Sequence, residues 1–271
     1  MFDSETESII YLSDKNRFIL SSTSKGNQIK WYKDGIYYKA DSFGYEGLAE
    51  VMANILAKHI KDFDYTEYKL CTIVEGDRQY NGCYCSSFLE DSESYLSFMR
   101  ILELLHFDFE KNSKEGMKVT FKNICKHIKY VTGIDIQSYL AKALYFDSLI
   151  LNEDRHLNNI GIISYITGYK AAPYFDNGLS MLADTRDYPL DLDLYENIKH
   201  AHAKPFLRTF EKQVKILNEM GFVPLIIDYD SLIKELDNFT SLNYSEDKIV
   251  RCRAVLKVQL RKFEGKAWKK L

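Results

Sequence analysis

The chain has 271 residues, of which 46% are hydrophobic and 28% charged, enough for one large domain or two lobes with a real core. Its formal net charge of −3 excludes the global basic field of a nucleic-acid binder. No apolar run approaches the length of a membrane span.

In chain order, the first ninety residues read as strand-rich. RFILSS, QIKWYK and GIYYKA are short, aromatic or β-branched, and separated by turn-formers. From Leu48 the apolar positions Leu48, Val51, Met52, Ile55 and Leu56 repeat at helical spacing, with Ala49, Ala53 and Ala57 on a second, small-residue face. Strands follow around YKLCTIV and YNGCYCSSFL. After Glu90 the pattern turns helical: YLSFMRILELLHF, the segment around FKNICKHIKYV, and IQSYLAKALYFDSLIL. IGIIS and KAAPYFDNG predict a hairpin. The remainder is predicted helical apart from an irregular stretch around DYPLDLDLYENIKHAHAKPF. The reading is an α+β chain: a β-rich piece with one helix at 1–90, then a mainly helical piece at 91–271, with the boundary near 88–93.

The stretch NEDRHLNN carries the densest chemistry. Asp154 and Asn159 are five positions apart, in a loop between a long helix and a strand, and Asp176 follows Asp154 by 22 residues, in YFDNG. That order suits phosphoryl transfer. The first aspartate accepts the proton of a hydroxyl nucleophile; the asparagine and second aspartate offer hard oxygens to magnesium on the nucleotide phosphates. Asp, Asn and Gly are common in any turn, so the loop alone decides little. The β-rich piece supplies the other parts. Lys39 closes the strand GIYYK, and Glu50 lies eleven residues on, a lysine–glutamate pair of the kind that holds phosphates, with Glu46 as rival. Upstream, SSTSKGNQIK is a Ser/Gly-rich turn whose amides suit phosphate oxygens, Ser24, Lys25, Gly26 and Asn27 among them.

These pieces resemble the HipA-like family of bacterial serine/threonine kinases, especially its short, stand-alone CtkA-type branch. SKGNQIKW, GIYYKADSFGYEGLAEVMANILAK, NEDRHLNNIGI, APYFDNGLSML and AKPFLRTFEKQ carry the resemblance, over residues 23–213. It implies a two-lobed protein-kinase-like fold, with Asp154 as catalytic base, Asn159 and Asp176 on magnesium, and Lys39 on the phosphates of ATP. It also implies a hinge at CYCSSFL, where backbone around Cys85, Ser87 and Phe88 meets adenine. Self-phosphorylation in the phosphate loop is implied too, at Ser21, Ser22, Thr23 or Ser24, with Thr23 or Ser22 best placed. A protein acceptor and an antitoxin or other regulatory partner are expected; the acceptor is unnamed. A lipid or small-molecule kinase with the same loops is the first alternative, although the acidic DYPLDLDLYENIKH is ill-suited to anionic membranes. A nucleotide-binding module without turnover is the second.

The other polar residues are read more simply. His156 is expected to brace the loop as a satisfied buried histidine. Arg155 is expected to be structural or to meet a phosphorylated residue. His200 and His202 make a weak zinc case and are assigned to a substrate-facing segment. The tyrosine-rich strands are taken as half-buried sheet surface, and the basic C-terminal residues from Arg251 to Lys270 as a solvated helix face. Five cysteines without a CxxC and an acidic, leaderless start point to reduced thiols in a cytoplasm, or to an effector secreted without a classical leader. Neither direct nucleic-acid binding nor membrane attachment is expected.

Overall fold

The computed structural model describes residues 8–18 and 28–271. Its elements in chain order are β1 (Ser8–Leu12), β2 (Arg17–Phe18), β3 (Lys30–Lys33), β4 (Ile36–Ala40), α1 (Glu46–Lys58), β5 (Lys69–Glu75) and β6 (Arg78–Ser86). Next come β7 (Ser94–Ser97), α2 (Phe98–Leu104), α3 (Phe109–Lys114), α4 (Met117–Thr132), α5 (Gln137–Ile150), β8 (Gly161–Tyr165) and β9 (Gly168–Ala171). The chain closes with α6 (Leu194–His200), α7 (Phe210–Glu219), β10 (Leu225–Ile227), α8 (Tyr229–Asn238), α9 (Glu246–Phe263) and β11 (Trp268–Lys270).

The N-terminal lobe is a six-stranded sheet in the order β1-β5-β6-β4-β3-β2, crossed by α1. A buried Trp31 anchors it: the indole N–H donates to Glu75 Oε1 at 2.8 Å, and Arg17 pairs with the same carboxylate. Gly82 allows β6 to lie against β4, since a Cβ there would stand 2.1 Å from the Lys39 carbonyl oxygen. The C-terminal lobe is built on α5, which is buried around most of its circumference and packs on α7 and α9. A three-stranded sheet, β7-β8-β9, brings Tyr95 and Ser97 of β7 to the wall of the cleft between the lobes. The apolar stripe of α1, Leu48, Met52 and Leu56, shares one continuous core with α5 and α9. This is the two-lobed α+β architecture expected.

Several local expectations fail for identifiable reasons. YLSFMRILELLHF is not one helix: residues 94–97 form β7, because Ser94–Ser97 pairs antiparallel with β8, and the helix begins only after the Ser97 hydroxyl caps it by accepting the Arg100 N–H. Strand β1 was not anticipated, and it pairs parallel with β5, a register no local pattern announces. The short parallel pair β10–β11 escaped notice because its three-residue strands carry no period. The irregular stretch contains α6, started by the Asp193 side chain, which accepts the N–H groups of Tyr195 and Glu196. The basic C-terminal residues are not simply solvated: buried Arg251 donates to the carbonyls of Tyr188 and Pro189, and Lys257 and Lys270 pair with Asp237 and Asp230. All five cysteines are buried free thiols. Among the described residues, no helix is long and apolar enough to cross a membrane.

Candidate active site

A cleft of about 490 Å³ opens between the sheet of the first lobe and the loops of the second. Lys39, Cys85, Ser87, Phe88, Asp154, His156, Asn159 and Asp176 all line it. On the sheet side, Lys39 Nζ lies 2.7 Å from Glu50 Oε1 and 2.7 Å from Asp176 Oδ1, and donates to the Tyr68 hydroxyl at 3.1 Å. Glu50 is 1% exposed, and its second oxygen accepts the Asn177 N–H at 2.8 Å. One carboxylate thus ties the strand lysine to the YFDNG loop. Glu46 does something else: it accepts the N–H groups of Ser42, Phe43 and Gly44 and ties down the loop that leads into α1. The open choice between the two glutamates falls to Glu50, and neither is solvated.

The electrostatics follow from that geometry. Burial works against the Lys39 ammonium, but Asp176 and Glu50 outweigh it and hold its pKa well above the usual lysine value. Burial would also push the Asp176 carboxyl up, yet Lys30 and Lys39 hold it far below the carboxylate range. Lys30, which the sequence reading missed, faces Lys39 across the β3–β4 register and stands 4.0 Å from Asp176 Oδ2. Asp176 itself sits at φ 58°, a left-handed conformation that aspartate tolerates better than most residues.

On the other wall, α5 ends at Leu151 in the left-handed region, and the chain turns into the NEDRHLNN loop. Asn152 organises the turn: it donates to Asp147 Oδ1 at 3.0 Å and accepts the Asp154 N–H at 2.9 Å. Arg155 points away from the cleft and is 1% exposed. It lies 3.1 Å from Asp147 Oδ2, and donates to the carbonyls of Asn159 and Phe175 at 2.8 and 2.9 Å and to Asn177 Oδ1 at 2.7 Å. One guanidinium therefore fixes the loop bearing Asp154 and Asn159 against the loop bearing Asp176. One N–H of the Asn159 amide goes to the Asp154 carbonyl at 3.2 Å, an orientation that leaves the amide oxygen to be offered to the cleft.

His156 departs from the expectation of a satisfied buried histidine. Its ring lines the cleft, Nε2 stands 3.6 Å from Asp154 Oδ2, and the buried Nδ1 finds no hydrogen-bond partner in the protein. At the hinge, the Ser87 N–H is already given to the Gly35 carbonyl at 2.8 Å, so that amide is not available to adenine. Phe88 instead contributes a ring to an aromatic cluster with Tyr95 and Phe175, with centroids 5.4 to 5.9 Å apart. Cys85 is a buried thiol, pushed up to about 11 by burial. Ser21, Ser22, Thr23, Ser24, Lys25, Gly26 and Asn27 lie outside the described residues. His200 is exposed, whereas the His202 backbone N–H donates to Glu153 Oε1 at 2.8 Å.

The start of α1 carries a pH-sensitive joint. Asp41 Oδ1 accepts the Gly47 N–H at 2.7 Å and Oδ2 accepts the Tyr244 hydroxyl at 2.8 Å. Burial, with the neighbouring Glu46 charge, raises its pKa to about 7. The folded state binds this proton more tightly than the unfolded chain, so its stabilising contribution is complete below pH 3.8 and is lost as pH rises to about 7. Asp41→Asn keeps the shape and removes the titration. Urea denaturation across pH 4 to 8 should show this variant losing less stability over that range than wild type, by on the order of 2 kcal/mol after allowance for partial solvent access. Parallel pH curves for the two proteins would reject the assignment.

The fold is two-lobed and kinase-like. Two solved structures share this architecture over most of the chain. The Helicobacter pylori proinflammatory kinase CtkA is 14% identical, covers 89% of this chain and 90% of its own, and superposes with a TM-score of 0.61. A chain of the HipA, HipB and operator DNA complex, a toxin–antitoxin system of Shewanella oneidensis MR-1, is 12% identical, with 91% of this chain, 62% of that one and a TM-score of 0.50. No protein-family model matches the sequence, and no curated protein matches it. The resemblance read from the motifs holds at the level of the fold.

Proposed function

We propose that the chain is an ATP- and magnesium-dependent kinase that phosphorylates serine or threonine hydroxyls of proteins, its own phosphate loop included. The observation that carries this is the convergence of Lys39, backed by buried Glu50, with Asp154, Asn159 and Asp176 on a single cleft. Phosphoryl transfer needs positioned charge more than covalent chemistry, and this cleft supplies it.

Asn159 and Asp176 fit a divalent cation. Both offer hard oxygens: Asp176 Oδ1 lies 2.7 Å from Lys39 Nζ, and Oδ2 stands 4.0 Å from Lys30 Nζ. Magnesium held there would neutralise the nucleotide phosphates. Lys39, aimed by Glu50, binds phosphate oxygens, and Lys30 adds a second positive charge beside it. Asp154 accepts the proton of the acceptor hydroxyl as that oxygen attacks. The aromatic group of Phe88, Tyr95 and Phe175 provides an apolar wall on the hinge side.

The test is to incubate the purified protein with magnesium and γ-labelled ATP, alone, and to locate the label by mass spectrometry. Label on Ser21, Ser22, Thr23 or Ser24, absent from Asp154→Ala, is the expected result. ATP consumed only when lipids or small alcohols are added would replace the protein acceptor with another class. ATP binding with no transfer under any condition would reduce the chain to a nucleotide-binding module.

A further inference from the structure

We propose that Lys204 is a positioning residue for the catalytic carboxylate, supplied by the turn after α6 and not by the catalytic loop; the role rests on the kinase reading above. Its Nζ lies 3.1 Å from Asp154 Oδ1. The loop's own cation cannot do this work, because Arg155 is buried and fully engaged with Asp147, Asn159, Phe175 and Asn177.

A surface ion pair alone would mean little. What distinguishes Lys204 is the frame built around its backbone. Buried Gln213 of α7 donates to the Lys204 carbonyl at 3.1 Å and accepts the N–H groups of Phe206 and Leu207 at 3.3 and 3.4 Å. The Ala203 N–H closes the turn on the Arg208 carbonyl at 3.0 Å. Two residues before Lys204, the His202 N–H is held by Glu153 Oε1, which also accepts the hydroxyl of buried Tyr188 at 2.7 Å. Glu153 immediately precedes Asp154. The turn is therefore stapled to the catalytic loop at one end and to a buried amide at the other, and the lysine is delivered to the base.

The ammonium fixes the orientation of the carboxylate, so that it meets the acceptor hydroxyl in one geometry. In the transfer, the acceptor oxygen forms a bond to the γ-phosphorus as its proton passes to Asp154. The bond from phosphorus to the bridging oxygen breaks, and its electron pair leaves with ADP. Lys204 keeps its protons and holds the Asp154 carboxylate in place throughout. His156, from the same loop as Asp154, also faces it, with Nε2 3.6 Å from Oδ2.

Single-turnover rates over a range of ATP concentrations, in wild type, Lys204→Met and Lys204→Arg, test the role. Lys204→Met should slow transfer roughly tenfold or more and leave the half-saturating ATP concentration unchanged. Lys204→Arg should restore most of the rate. The same comparison in a His156→Gln background separates the imidazole from the carboxylate. The Lys204 side chain is 38% exposed, so the fold should survive in both variants, as thermal melts will show. An active wild type with an undiminished rate in Lys204→Met, or a loss that Lys204→Arg does not restore, overturns the role of Lys204 alone. A wild type that transfers no phosphoryl group to any acceptor overturns the kinase reading and this role with it.

Discussion

Arg155→Met should cost the protein about 3–5 kcal/mol of stability, because it strips the partner from a carboxylate that has no access to water. Asp147 is 0% exposed; burial already pushes its pKa up, and Arg155 is the charge that opposes this. Without the guanidinium, Asp147 must take up a proton or draw in solvent, and the carbonyls of Asn159 and Phe175 lose their donors. For a chain of this size the melting temperature should fall by on the order of 10 °C. Adding Asp147→Asn should recover part of that loss, since the stranded charge goes with it. It should not recover phosphate transfer, because the two loops remain untied. Thermal melts of the single and double variants check the first point and transfer rates the second. A melting temperature within the error of wild type for Arg155→Met would show that the buried pair does not hold the two loops.

Asp154→Asn should do the opposite, removing chemistry while sparing the fold. The side chain is 16% exposed, on a loop at the cleft wall, and buries little apolar surface. Loss of a general base typically costs 10²- to 10⁴-fold in rate, so transfer should fall by about that factor. The amide still accepts from Lys204, so the melting temperature should stay close to that of wild type. Single-turnover labelling beside a melt gives both numbers from one preparation. Undiminished transfer would remove Asp154 from the role of base and send the search to His156, whose ring nitrogen stands 3.6 Å away.

The residues legible in the sequence were those whose spacing is set by one loop or one strand-to-helix step. Asp154 and Asn159 share a loop, Lys39 and Glu50 are joined by a single turn into α1, and Asp176 returns on the β8–β9 hairpin. Each could be placed because the chain between them is short and patterned. Lys30, Tyr68 and Lys204 were missed because their place depends on packing. Lys30 was recoverable in principle, since the β3–β4 hairpin puts it opposite Lys39. Tyr68 carries no local signal; it matters only because β5 brings its hydroxyl to within 3.1 Å of the Lys39 ammonium. Lys204 sits in a segment already noted for its motif, AKPFLRTFEKQ, but its approach to Asp154 is decided by Gln213 and Glu153. The β7 strand was misread for the same reason: YLSF has helical periodicity, and only pairing with β8 overrides it.

The packing of α1 has a consequence for control. Leu48, Met52 and Leu56 are each 0% exposed and share the core of α5 and α9. The start of the helix is pinned through Asp41 to Tyr244, and the Tyr45 hydroxyl reaches the carbonyls of Met181 and Leu182 at 2.9 Å. Just past its end, His59 meets Glu235 at 2.7 Å. Swinging the helix outward to part Glu50 from Lys39 would bare those three apolar side chains, at about 5–9 kcal/mol. A displaced helix would then be populated in fewer than about one molecule in a thousand. The joint carries no clutch: the pair of Lys39 and Glu50 stays engaged unless those three side chains are bared.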